Sequence, residues 1–163
     1  MRNVTKVILV LGCVSLFWMV QSGKGGTTIE KNAAIEKAIL KVHTEMVKAA
    51  ENLDADTLFR HVLEMNKGVI VQDGTIMTTR QEALDGTRQG FQKFKSVSYK
   101  YKHKYITVIS PTVALWVADG TTSVTFNGDG SEISVEFAET IVFTKKDGQW
   151  KVLHTHGSIP NQR

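Results

Sequence analysis

Between Ile35 and Leu53 apolar side chains recur at three- and four-residue steps: Ile35, Ala38, Ile39, Val42, Met46, Ala49 and Leu53. Lys31, Glu36, Lys37, Lys41, Glu45 and Lys48 fill the positions between them. A single apolar stripe at this period predicts an amphipathic helix of about twenty residues. Thr27 and Glu30 stand at capping-box spacing and mark its start. Asp54 offers an N-cap for a second, short helix carrying Leu58, Phe59, Val62 and Leu63. Gly68-Val-Ile-Val71 reads as a short strand, and Asp73-Gly74 is a tight-turn signal. Thr79 and Glu82 repeat the capping-box spacing and open a third helix, with Ala83, Leu84, Thr87 and Phe91 inward.

After Phe94 the period changes from 3.6 to 2. Strands are expected at Ser98–Ile109, Thr112–Phe126, Ser131–Lys145 and Gln149–Ile159. Ser110-Pro111, Asn127-Gly128-Asp129-Gly130 and Lys146-Asp147-Gly148 separate them. Turns this short join neighbouring strands as an antiparallel meander. Helices segregated ahead of such a sheet make the chain α+β.

The N-terminus follows another rule. Arg2 and Lys6 precede an apolar run from Val7 to Val20, and the first acidic residue is Glu30. That run is shorter than the ~20 residues of a spanning helix and has the form of an export signal. Cleavage is expected after Ser22, so residues 1–22 are a signal peptide, 23–29 a flexible lead-in and 30–163 one domain. The expected location is secreted or periplasmic. Gly12-Cys13 is a partial lipobox, and acylation of Cys13 is the alternative that would tether the protein to a membrane.

Composition then changes the picture in one respect. The 163 residues carry a net charge of +4 and a single cysteine. Without residues 1–22, 141 remain, with 18 basic and 16 acidic side chains and no thiol. Disulfide frameworks and thiolate zinc sites are excluded within one chain. A net charge near +2 gives little reason to expect an acidic partner, and nucleic acid is not expected.

The order of elements resembles the nuclear-transport-factor-2-like superfamily, and within it the SnoaL-like and ketosteroid-isomerase-like domains. Three stretches carry the resemblance: Ile70-Val-Gln-Asp-Gly74 before the capped helix, Thr140-Ile-Val-Phe-Thr-Lys-Lys-Asp-Gly-Gln-Trp150, and Trp150-Lys-Val-Leu-His-Thr-His-Gly-Ser158. It covers about Glu30 to Ile159. It implies a cone-shaped fold in which three N-terminal helices pack into the concave face of a curved antiparallel sheet. The superfamily includes isomerases, dehydratases, cyclases, transport factors and oligomerisation modules, so the fold alone does not assign an activity. Asp73 falls near the general-base Asp of ketosteroid-isomerase-like members, but Gly74 after it points to an exposed turn.

Strict alternation sorts the candidate side chains by face. Tyr99, Tyr101, His103, Tyr105 and Thr107 share one face of the first long strand, with Lys100, Lys102 and Lys104 on the other. Trp150, Val152, His154, His156 and Ser158 share a face of the last. Glu139 lies among Val135, Phe137, Ile141 and Phe143. A carboxylate there needs a partner, for which Arg80, Arg88 and His156 are candidates, or carries a raised pKa suited to proton transfer. Glu136 is the competing acid if the opposite face is concave. A dimer partner covering the face is the plainer reading. His154 and His156 with His103 or Glu139 have the residue types of a three-ligand metal site, but no metal and no other cofactor is expected. Gly23–Gly26 lacks the strand and the Lys-Ser/Thr of a phosphate loop, and Ser158 has no triad pattern.

Two functions follow as expectations. The first is a cone pocket that binds a small, partly apolar molecule, with acid/base chemistry of the isomerase, cyclase or dehydratase kind left open. Its candidates are Glu139 and His156 as catalytic groups and Tyr101, His103, Trp116 and His154 as ligand-binding groups. The second is a non-catalytic module that homodimerises through a sheet face.

Overall fold

The computed structural model describes residues 27–64, 67, 69–72 and 74–159. The expected signal peptide, Cys13 and the turn residue Asp73 lie outside these described residues. Helix α1 spans Thr28–Glu51, and the Thr27–Glu30 capping box forms as the spacing predicts. Asp54 caps α2 (Ala55–Phe59), with its side chain accepting the Thr57 N–H. Thr79 caps α3 (Arg80–Phe91) through the Glu82 N–H. Each cap satisfies a backbone donor that a helix start would otherwise leave open.

Six strands follow or interleave: β1 (Ile70–Gln72), β2 (Thr75–Met77), β3 (Phe94–Ser110), β4 (Val113–Phe126), β5 (Glu132–Lys146) and β6 (Gln149–Ser158). Their order in one sheet is β2-β1-β6-β5-β4-β3. The long strands form the expected antiparallel meander. The sheet as a whole is mixed, because β1 pairs parallel to β6. The β1–β2 hairpin turns through Gly74, at φ +81°. The sheet is curved and unclosed, with the helices on its inner face.

The core lies between that inner face and the helices. Trp116, Phe143, Ile141 and Val152 from the sheet pack with Ile39, Phe59, Val69 and Leu84. Of the four register shifts in the β3–β4 and β5–β6 pairings, two decide which side chains join them. In β3 the partners step from Tyr101↔Gly120 to His103↔Asp119, leaving Lys102 as the extra residue. In β6 they step from Val142↔His154 to Phe143↔Val152, leaving Leu153 extra. An extra residue exchanges the two faces of a strand from that point on. Val97, Tyr99 and Tyr101 therefore share the inner face with Ile106 and Val108, whereas His103, Tyr105 and Thr107 turn outward. Trp150 and Val152 share it with Thr155 and Gly157, whereas His154 and His156 turn outward. The single faces expected from strict alternation do not form in either strand.

Gly120 sits opposite the β3 bulge. A Cβ there would lie 2.3 Å from the Lys100 carbonyl oxygen, and 2.9 Å from the Tyr101 Cα. Both obstacles are backbone, so the strands must part to admit it. Gly86, in the middle of α3, has nothing within 4 Å of the corresponding position. Gly120→Ala is expected to lower stability by about 1–3 kcal/mol. Gly86→Ala is expected to raise it by about 0.5–1 kcal/mol. Urea unfolding of the two variants checks both signs, and a neutral Gly120→Ala would contradict the close strand approach.

Candidate functional site

Glu139 reaches the inner face from the middle of β5, opposite Ala118. The small Ala118 leaves room for its neighbour on β4, Trp116, to lean across. Trp116 is fully buried, and its Nε1–H donates to Glu139 Oε1 at 2.8 Å. From α1, His43 brings Nε2 to 3.1 Å from the same oxygen. The imidazole lies flat against the Trp116 indole, with ring centroids 3.8 Å apart and 21° between the planes. Tyr101 completes the cluster, its hydroxyl 3.2 Å from His43 Nε2. His43 is buried, with 4% of its surface exposed, and the Glu139 side chain keeps 19%.

One nitrogen faces two partners, and a neutral imidazole nitrogen either donates or accepts. With the proton on Nε2, His43 donates to Glu139. With the proton on Nδ1, Nε2 accepts from the Tyr101 hydroxyl. The imidazole thus stands between the phenol and the carboxylate. Burial raises the Tyr101 pKa far above the usual phenol value, and the nearby Glu139 carboxylate raises it further. Burial also raises Tyr99, with Glu139 and Glu51 adding to the shift. Both phenols thus remain hydrogen-bond donors across the physiological range.

Glu139 stands between two cavities. One, of about 130 Å³, lies under α1 and is lined by His43, Met46, Val47, Tyr99, Tyr101 and Ile141 among others. The other, of about 230 Å³, lies between β1, the middle of β5 and the end of β6; Ile70, Gln72, Phe137, Thr155 and Gly157 help to line it. Tyr99 and Glu139 line both. A carboxylate held by an indole N–H, backed by an imidazole and facing a partly apolar cavity has what a general base requires: fixed position, limited hydration and an approach for substrate.

Of the residues singled out in the sequence, Glu139, Tyr101 and Trp116 meet in this cluster. His103 does not. Beyond the β3 bulge it lies on the outer face, with Nδ1 2.9 Å from Asp119 Oδ1 and about half of its side chain exposed. His156 and His154 also lie outside, opposite Thr140 and Val142, across the sheet from Glu139. No group of three His, Cys, Asp or Glu suited to a metal occurs among the described residues. The other expected partners of Glu139 are engaged elsewhere. Arg80 donates to the Phe59 carbonyl from Nε and Nη2, at 3.0 and 2.8 Å. Arg88 pairs with Asp56 and Asp85.

The residue that sequence reasoning missed is His43. Its signal was positional. It stands four residues after Ile39 and three before Met46, within the apolar stripe of α1, so a polar ring there had to find a buried partner.

Comparisons with known proteins agree with this architecture. The sequence profile of the SnoaL-like domain matches residues 39–162. A search of curated proteins returns no significant match. Several solved structures share the fold. A nuclear transport factor 2-like superfamily protein from Salmonella enterica superposes with a TM-score of 0.72 at 14% identity, covering 80% of this chain and 94% of that one. A candidate scytalone dehydratase from Novosphingobium aromaticivorans gives 0.73 at 15%, covering 81% and 88%. Hexachlorocyclohexane dehydrochlorinase LinA-type3 from Novosphingobium barchaimii gives 0.67 at 13%, covering 83% and 92%.

Trp116→Phe keeps most of the packing but removes a donor from a mostly buried carboxylate. It is expected to cost about 1–3 kcal/mol. In a Glu139→Ala background the same change is expected to cost at least about 1 kcal/mol less, because the partner has gone. Equal costs in the two backgrounds, by denaturant unfolding, would mean that the indole–carboxylate bond contributes nothing.

Proposed function

The chain belongs to the SnoaL-like domain family, and on that premise we propose that it binds a small, partly apolar molecule beside Glu139 and moves a proton on it. The observation that carries this reading is Glu139 itself. Trp116 and His43 fix its Oε1, and the carboxylate lines both cavities. In the proposed reaction Glu139 takes a proton from carbon. Tyr101 or Tyr99 donates a hydrogen bond to the substrate oxygen on which charge develops. His43 holds the carboxylate in place from α1, with Nε2 against its Oε1. Structural relatives named for dehydration and dehydrochlorination are consistent with proton removal in such a cone, but their identity to this chain is low enough that they speak for fold alone.

A substrate-independent test uses a simple carbon acid. Conversion of cyclohex-3-en-1-one to its conjugated isomer needs removal of one proton from the α-carbon and its return at the γ-carbon. Wild-type protein is expected to accelerate the rise in conjugated-enone absorbance over buffer. Glu139→Gln is expected to lose at least about 100-fold of that rate. Rates equal to buffer, or unchanged in Glu139→Gln, would overturn the base and leave a binding module.

The outer face favours a second element of the proposal, a homodimer. Tyr105 and Val117 pair across strands, and Tyr105, Ile109 and Val117 are 62%, 62% and 38% exposed. Leu115 and Val142, neighbours on the same face, extend the apolar patch. Apolar side chains gathered on one sheet face suit an isologous contact with a second copy. The mature, exported form starting at Gly23 is the species proposed to dimerise. Expression with residues 1–22 present tests both points in one sample. Intact mass is expected to begin at Gly23 and sedimentation to show a dimer that Val117→Lys converts to monomer. A retained leader or an acylated Cys13 would contradict the cleavage, and a wild-type monomer would contradict the dimer.

A further inference from the structure

The two cavities have an unusual charge. Among the described residues that line them, Glu139 is the sole Asp, Glu, Lys or Arg. Its ion-pairing neighbour among those residues is His43, whose ring is also within hydrogen-bond reach of Tyr101. No Lys or Arg among the described lining residues stands against the carboxylate in either cavity. A neutral, apolar ligand seated against Glu139 would strip water from the carboxylate and return nothing to it. An anion would be repelled outright.

The surroundings of the carboxylate are aromatic. Tyr99, Tyr101 and Phe137 form a mutual cluster: Phe137 meets Tyr99 edge-on at 6.0 Å and Tyr101 edge-on at 5.4 Å between centroids. Tyr99 and Phe137 line the larger cavity together with Glu139. Ring faces attract ammonium groups, most strongly where water is scarce. A lysine already uses the cluster in this way, with Lys104 Nζ 5.4 Å from the Tyr101 ring centroid while lining neither cavity.

From the carboxylate, the aromatic faces and the absence of a lining Lys or Arg among the described residues, we infer that the pocket beside Glu139 takes an organic cation: a quaternary or protonated amine with apolar substituents. The inference rests on the proposed reading of this pocket as the binding site and narrows its ligand class. The larger cavity, at about 230 Å³, is of a size for a small trialkylammonium group.

The test compares choline with its neutral isostere 3,3-dimethylbutan-1-ol and the anionic analogue 3,3-dimethylbutyrate, by NMR titration of the mature protein. Choline is expected to bind about tenfold tighter than the alcohol, and the carboxylate more weakly than both. Glu139→Gln is expected to bring choline and the alcohol within about twofold of each other. Tyr99→Leu, which leaves the carboxylate in place, is expected to weaken choline about fivefold and the alcohol less than twofold. No saturable choline binding, equal affinities in wild type, or tightest binding of the anion would overturn the inference. A choline preference that survives Glu139→Gln would also overturn it. Failure here with intact enone isomerisation removes the ligand class alone. Success here without isomerisation keeps the ligand class and removes the base.

Discussion

A carboxylate on the inner face of a sheet is a liability until something holds it. Glu139 is held by a tryptophan on the neighbouring strand and a histidine on a helix 96 residues earlier in the chain. This requirement ties the layers together. The Trp116 indole must reach past Ala118, the His43 ring must stack on that indole, and α1 must lie at the depth that permits both. Hydrophobic burial brings α1 to the sheet. The polar cluster then selects one register of helix on sheet, because a turn of the helix either way would leave a buried carboxylate and a buried imidazole without each other.

The bulges in β3 and β6 act on the same problem from the sheet side. By exchanging faces, they keep Tyr99 and Tyr101 with Glu139 while sending His103, His154 and His156 outward. The interior is thereby left with few ionisable groups and several rings. Gly120 permits the close strand approach at the first bulge, and the second sets Thr155 and Gly157, rather than the histidines, at the larger cavity. The character of the pocket, one acid among aromatic side chains, follows from two inserted residues as much as from what the pocket contains.

Much of the fold was legible in the sequence because its signals are local. Capping boxes at Thr27 and Thr79, the Asp54 cap and the Gly-rich strand turns each state their own geometry. Glu139 was legible as a polar residue in an apolar row. The parallel pairing of β1 with β6 was not, since it joins segments far apart in the chain. The bulges were half-visible. Apolar positions in β3 run odd through Val97, Tyr99 and Tyr101 and then even through Ile106 and Val108, a change of parity that strict alternation overlooks. In β6 the shift passes from Val152 to Thr155 and Gly157, residues too polar or too small to announce a face. His43 was hidden by its type: within a helix stripe of Ile, Val and Met, a histidine reads as a boundary residue until a partner for it is known.

The central claim is that the Trp116 indole and Glu139 carboxylate form one buried hydrogen-bonded unit. The indole proton of Trp116, assigned in a ¹H–¹⁵N correlation spectrum of residues 23–163 with Trp150→Phe to remove the other tryptophan there, reports on it directly. A downfield indole resonance that exchanges slowly with solvent and moves upfield in Glu139→Gln is expected. A rapidly exchanging indole proton, or one whose shift is indifferent to Glu139→Gln, would contradict it.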